Sequence, residues 1–149
     1  MNIAVALALI PVLFAVIGYL PLRGPLEVWI TEQPVALPSA MITKLVWFSV
    51  LWLFGLAATL AGADKELLLV VAIVVPAIAA MWAYLLVLRQ DARTAFTVLC
   101  VGWTLAAIVA AWIYALNPGA SLLTVPLLVT LIVGGVANFF IWQRPAQQD

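Results

Sequence analysis

Histidine is absent from this chain and cysteine occurs once. Without histidine, the commonest general base, the commonest zinc ligand and the usual proximal haem ligand are all missing. Cys100 stands alone within an apolar run, so neither a disulfide nor a thiolate metal cluster is available. Charge is also scarce. Only 8% of the 149 residues are Asp, Glu, Lys or Arg, against about 25% in a soluble domain. Six basic and six acidic side chains cancel, which leaves no basic face for nucleic acid. A soluble fold could not cover its surface with so few ions. What fills the sequence instead is apolar: 68% hydrophobic residues and a mean hydropathy of +1.26. The chain reads as an all-α integral membrane protein.

Five stretches approach the length of about 20 residues that a helix needs to cross a bilayer. They predict helices over 3–20, 41–62, 67–88, 95–116 and 121–142, forming a single five-helix membrane domain over 1–149. The first, Ile3 to Leu20, lacks the basic start and small-residue cleavage site of a signal peptide. It is expected to be retained, with a kink at Pro11. Lys44 falls in the first turn of the second helix, where a long side chain can snorkel to the interface. The third helix holds 13 Leu, Ile and Val residues. They supply roughly −4 to −8 kcal/mol of insertion free energy, enough to tolerate Pro76. The expected turns are Ala63–Glu66, Arg89–Arg93 and Asn117-Pro118-Gly119.

One long stretch breaks the apolar pattern. Pro21 to Ala40 carries four of the nine prolines, with Arg23, Glu27, Glu32 and Trp29. It is expected to form a structured loop acting as a lid over the bundle, with any ligand site beneath it. The basic flanks set the orientation. Arg23, Lys44, Arg89, Arg93 and Arg144 fall on one side of the predicted topology and Lys65 on the other. This predicts the N-terminus outside, the C-terminus and the proline-rich loop in the cytoplasm, and residence in a bacterial inner membrane.

No ionisable residue lies deep within a span, which argues against proton pumps, ion-coupled transporters and voltage sensors. No repeat relates the two halves. There is no phosphate loop, no paired carboxylate and no nucleophile beside a base, so no catalytic site is expected. The distinctive feature is tryptophan: Trp29, Trp47, Trp52, Trp82, Trp103, Trp112 and Trp142. An aromatic belt at the headgroups accounts for Trp29, Trp112 and Trp142. Trp47, Trp52, Trp82 and Trp103 stand further inside, where an indole N–H needs a partner. Ordinary packing and an aromatic wall for a flat apolar ligand are both open for them.

In order and spacing, several residues resemble the tryptophan-rich sensory proteins (the TspO family), whose mitochondrial relatives are the translocator proteins or peripheral-type benzodiazepine receptors. Gln33-Pro34, Pro38 and Trp47 resemble the family's pattern leading into its second helix. Trp82, Arg89 and Ala92 match in spacing. Val125-Pro126, Asn138 and Arg144-Pro145 resemble its closing signature. The likeness covers nearly the whole length. It implies five helices, a long first loop, and binding of porphyrin, haem or sterol by a receptor or transport-regulating protein. The sequence also departs from the family. The paired first-loop tryptophans are Val35 and Ala36, a tyrosine after Trp47 is Leu51, polar third-helix positions are Val75 and Ala79, and the last-helix tryptophan is Thr130. These changes imply a more apolar pocket. Porphyrin photo-degradation, linked in the family to two tryptophans, is not expected where only Trp47 remains.

The resulting expectation is a membrane-embedded binding or sensing protein for a flat hydrophobic ligand, tetrapyrrole or sterol-like. Its ligand-binding candidates are Trp29, Pro34, Pro38, Trp47, Trp52, Trp82, Trp103 and Asn138, with no catalytic or metal residues. No cofactor is required, and a porphyrin or lipid is the expected occupant. Expected partners are the bilayer, a hydrophobic small molecule, and either a second copy or a membrane-complex partner. The alternative is a structural or assembly subunit without ligand chemistry. Gly134-Gly135, Ala106-Ala107 and Ala110-Ala111 permit close helix approach, either inside the bundle or to such a partner.

Overall fold

The computed structural model describes residues 20–33 and 36–144. Apart from Leu20, the expected first helix over 3–20 lies outside the described residues, as do Pro34, Val35 and the tail 145–149. Every described element is helical. A 3₁₀ turn at Leu20–Leu22 leads into α1 (Arg23–Glu32). Then come α2 (Ala40–Leu60), α3 (Lys65–Val87), α4 (Ala92–Leu116) and α5 (Pro118–Gln143). The last four are each long and apolar enough to cross a membrane. The chain is a multi-pass membrane protein.

Helix α1 departs from the loop expected over 21–40. Leu22, Leu26 and Trp29 are buried, and Ile30 and Gln33 are half-buried. That spacing is the stripe of an amphipathic helix. Pro25 falls in the first turn, where its missing N–H is not needed. The helix stops at Gln33, whose backbone is extended (φ −75°, ψ 141°), as expected for a residue that precedes a proline. The Gln33 Nε2 donates to the Trp29 carbonyl at 3.1 Å and helps satisfy the last turn.

The connections are set by cap chemistry. After α2, the Gly62 N–H bonds the Thr59 carbonyl and the Ala63 N–H bonds the Ala58 carbonyl, both at 3.1 Å. Gly62 has φ +68°, so this is a Schellman turn with glycine at its left-handed position. Asp64 then caps α3, accepting from the Leu67 N–H at 2.8 Å. Asp91 caps α4 by accepting from Thr94 N–H at 3.0 Å, and Asn117 caps α5 by accepting from Ala120 N–H at 3.1 Å. Helices α3, α4 and α5 therefore begin at 65, 92 and 118, earlier than their apolar runs indicate.

Pro76 leaves a local mark on α3. It has no N–H to offer the carbonyl four residues back. Val70–Val74 just before it is a π-helical turn, and the Val75 N–H reaches back to the Val70 carbonyl. The widened turn lets the helix pass the proline without breaking.

Helix α4 packs against both α3 and α5. Helix α2 packs chiefly on α5, and it meets α3 mainly through the Lys65–Val74 part of that helix. In lipid, packing of this kind relies on close van der Waals contact, because lipid tails are as apolar as Leu. Gly102 shows how close it is: a Cβ there would stand 2.8 Å from Ile78 Cγ2. Phe54, Leu67, Ile113 and Leu127 are fully buried in this main core with Ala57, Ala58 and Ala106. A second buried cluster joins Leu22 of the 3₁₀ turn and Leu26 and Trp29 of α1 to Ala40, Leu86, Val87 and Ala95. Between the two clusters lies the cavity.

Candidate ligand cavity

Small side chains make the space. Ala79, Ala80 and Ala83 on α3 face Gly134 and Ala137 on α5, and none of them reaches far from its backbone. Larger apolar groups close the periphery: Leu22 of the 3₁₀ turn, Leu26 and Ile30 of α1, with Phe48 and Leu51 of α2. The cavity volume is about 260 Å³, just under the lower bound of about 300 Å³ for small-molecule sites. Val46 and Val133 line the cavity and are also exposed. The cavity thus meets the outside between α2 and α5.

One wall is aromatic. Trp47 and Trp82 come together across the gap between α2 and α3, with ring centroids 5.4 Å apart and planes tilted by 48°. Trp82 is held by hydrogen bonds. Its Nε1–H donates to Asn138 Oδ1 at 2.9 Å. The Asn138 Nδ2 donates in turn to the Ala92 carbonyl at 2.7 Å. Asn138 is wholly buried, where an unpaired amide would be costly. Both ends of that amide are used, so the relay joins α3, α5 and the start of α4. Gly134 lies under the same ring, where an added Cβ would meet Trp82 Cη2 at 3.5 Å.

The lining is otherwise nearly devoid of polar groups. Thr43, at the rim, donates its hydroxyl to the Pro38 carbonyl at 3.4 Å. Thr130 donates to the Pro126 carbonyl at 2.8 Å, within its own helix. Lys44 is the one ionisable side chain that lines the cavity among the described residues.

Comparison with protein-family models, with curated proteins and with solved structures finds no match to this chain.

Five of the expected site residues, Trp29, Pro38, Trp47, Trp82 and Asn138, line this one cavity. Pro34 lies outside the described residues. Trp52 and Trp103 are 41% and 40% exposed and are not among the lining residues. The reason is angular. At about 100° per residue, Trp52 is turned about 140° from Trp47, and Leu51 takes the inward position. Trp103 is likewise turned aside from Gly102, which faces α3. Depth along a helix does not say which way a side chain faces. Beyond Trp29, the lining also takes Leu22, Leu26, Ile30 and Lys44, which the expected site does not include. For α1 the signal was available, in the spacing of Leu22, Leu26 and Trp29.

Proposed function

We propose that the cavity binds a flat hydrophobic ligand, tetrapyrrole or sterol-like, and that the protein is a membrane-embedded binding, sensing or transport-regulating protein. The observation that supports this most is the Trp47–Trp82 wall in an apolar cavity, with Trp82 fixed by Asn138. An indole with a settled hydrogen bond offers its face to a ligand without leaving a buried donor unpaired. The resemblance to the tryptophan-rich sensory proteins agrees with this reading. On the same reading, α1 is the lid, the stretch 3–20 is the fifth helix, and the C-terminus faces the cytoplasm of a bacterial inner membrane. A tetrapyrrole exceeds the cavity volume, so it enters by displacement of α1 or extends through the opening between Val46 and Val133.

The test is quenching of tryptophan fluorescence. Protoporphyrin IX should quench with micromolar affinity, and Trp47→Phe should weaken that affinity. Cholesterol, which cannot accept the excitation, is tested by its ability to displace the porphyrin. If neither a porphyrin nor a sterol binds, the proposal fails.

The assembly-subunit reading has one observation in its favour. Phe96, Phe139, Phe140 and Trp142 form a contiguous aromatic group where α4 and α5 meet, and the last three are exposed. The small residues lend it less support. Gly134 abuts Trp82 and Gly135 abuts Leu99 inside the bundle, and Ala106 is fully buried there. Co-purification of a stoichiometric membrane partner would favour this reading over the first.

A further inference from the structure

We infer that the gap between α2 and α5 at Val46 and Val133 is the entrance of the cavity, and that it admits a ligand dissolved in the bilayer while α1 stays closed. The inference rests on the cavity being a ligand site, as proposed above. It decides between the two routes named there and narrows the ligand to one that partitions into hydrocarbon.

The way α2 and α5 meet leaves the gap. Helix α2 packs most closely on Pro118–Thr124, the start of α5 near the Gly62 turn. Further along, Val46 and Val133 line the cavity and are also 40% and 62% exposed. Just inside them the path is short. Gly134 follows Val133, and a Cβ on it would already stand 3.5 Å from the Trp82 ring.

Depth puts this gap among lipid tails. Helix α2 has 21 residues and is about 31 Å long, the thickness of the hydrocarbon core. Val46 lies six residues on from Ala40, about 9 Å along that length. Ala40 and Ile141 share the second buried cluster, so the start of α2 and the end of α5 lie together. Val133 is ten residues from Gln143, about 15 Å from that end. Both depths exceed an interfacial layer of about 5–8 Å.

The end under α1 is shut. Leu22, Leu26 and Trp29 are buried there, while Arg23, Glu27 and Glu32 on the outer face are exposed. Lifting α1 would carry three large apolar side chains into water. Pro38 is the exposed lining residue at this end among the described residues, and its carbonyl is tied to the Thr43 hydroxyl. Entry between the valines uncovers no such surface, because their outer faces already meet lipid tails as apolar as themselves.

The test is stopped-flow tryptophan quenching by protoporphyrin IX, with full-length protein in phosphatidylcholine nanodiscs. Val46 and Val133 are replaced together, by Phe in one variant and by Ala in another. Association should slow about tenfold in the Phe pair, the scale of a modest overpacking barrier, and should quicken in the Ala pair. The porphyrin's own fluorescence follows its partition into the discs, which separates that step from binding. If only a sterol binds, dehydroergosterol, which accepts tryptophan emission, replaces the porphyrin. Association unchanged in both pairs, or a change confined to dissociation, overturns the inference while the binding proposal stands. If the wild type binds neither a porphyrin nor a sterol, the binding proposal fails and this inference with it. A spin label on Val133→Cys reports the depth, in a Cys100→Ala background that removes the exposed native thiol. It should collide with dissolved oxygen and not with a water-soluble nickel chelate. Frequent collision with the chelate places the gap in water and overturns the inference.

Discussion

The two ends of the bundle are built from similar residues and do opposite things. Towards the Gly62 turn, Phe54, Ala57, Ala58, Leu67 and Val71 close into a core with almost no exposed surface. Towards α1, small residues are also present, among them Ala79, Ala80 and Ala83, yet α2 and α3 stand apart around a cavity. The difference is what spans the gap. At the closed end α2 and α3 are joined by three residues, Ala61-Gly62-Ala63, before the Asp64 cap. At the open end two tryptophans prop the helices apart, and one of them is braced by Asn138. Hydrophobicity does not separate a core from a pocket here; side-chain size and the position of a few polar groups do.

The contrast can be broken most severely at two glycines. Gly102 sits in the tight α3–α4 contact, with 2.8 Å between a would-be Cβ and Ile78 Cγ2, and Ile is stiff at χ1. Gly102→Leu should cost about 3 kcal/mol or more through overpacking. Gly134 faces the cavity, and its would-be Cβ meets Trp82 at 3.5 Å, an ordinary contact. Gly134→Ala should be neutral or gain up to about 1 kcal/mol from helix propensity. Thermal unfolding in one detergent, followed by circular dichroism, compares them. Similar losses in both variants would show that the cavity wall at Gly134 is packed as tightly as the α3–α4 contact at Gly102.

The Asn138 relay comes next. Asn138→Leu removes the partners of the Trp82 indole N–H and the Ala92 carbonyl. An unsatisfied buried group costs about 1–3 kcal/mol, whereas polar pairs in membranes average about 0.6 kcal/mol in double-mutant cycles. A loss of about 1–2 kcal/mol is expected on these two scales. Combining Asn138→Leu with Trp82→Phe should cost less than the sum of the two. Strict additivity would mean that the bond contributes nothing.

How much of this could be read beforehand depends on which physical signal each part leaves. Helices α2 to α5 announce themselves by long apolar runs with charged or proline-rich breaks, and they were readable for that reason. The first residues of α3, α4 and α5 were not, because Asp64, Asp91 and Asn117 cap them from polar positions that hydropathy assigns to turns. Prolines and charges masked α1, although the Leu22, Leu26, Trp29 stripe has the right period. In the cavity, Trp47, Trp82 and Asn138 could be picked out as residue types, but their meeting across three helices is long-range and leaves no local trace. Trp52 and Trp103 look equivalent to them by depth and are distinguished only by facing.

That distinction makes its own prediction. Trp47→Phe and Trp52→Phe are the same chemical change five positions apart on α2. Removing part of a stacking surface worth about 0.5–1.5 kcal/mol beyond its area should weaken porphyrin quenching several-fold for Trp47→Phe. Trp52→Phe should leave the affinity unchanged and lower only the emission. Equal effects on affinity would place the ligand outside the cavity.

The smallest expected effect lies outside the membrane-spanning segments, at the cap of α4. The Asp91 carboxyl is held below its ordinary value of 3.8, chiefly by its side-chain hydrogen bond with Thr94 and further by the Thr94 backbone N–H. Because the folded protein favours the charged form, the unfolded chain binds the proton more readily, and stability falls with pH in that range. The contribution is fully present well above 3.8 and fades as pH drops through 3.8 towards the lowered folded value. Asp91→Asn keeps a good capping side chain without the titration. Its stability curve should coincide in shape with the wild type at neutral pH and be flatter on the acid side. Asp91 is fully exposed, so the divergence should be slight and should shrink further in high salt. An acid limb that is unchanged in Asp91→Asn would assign the acid sensitivity to another carboxylate and leave this cap as geometry alone.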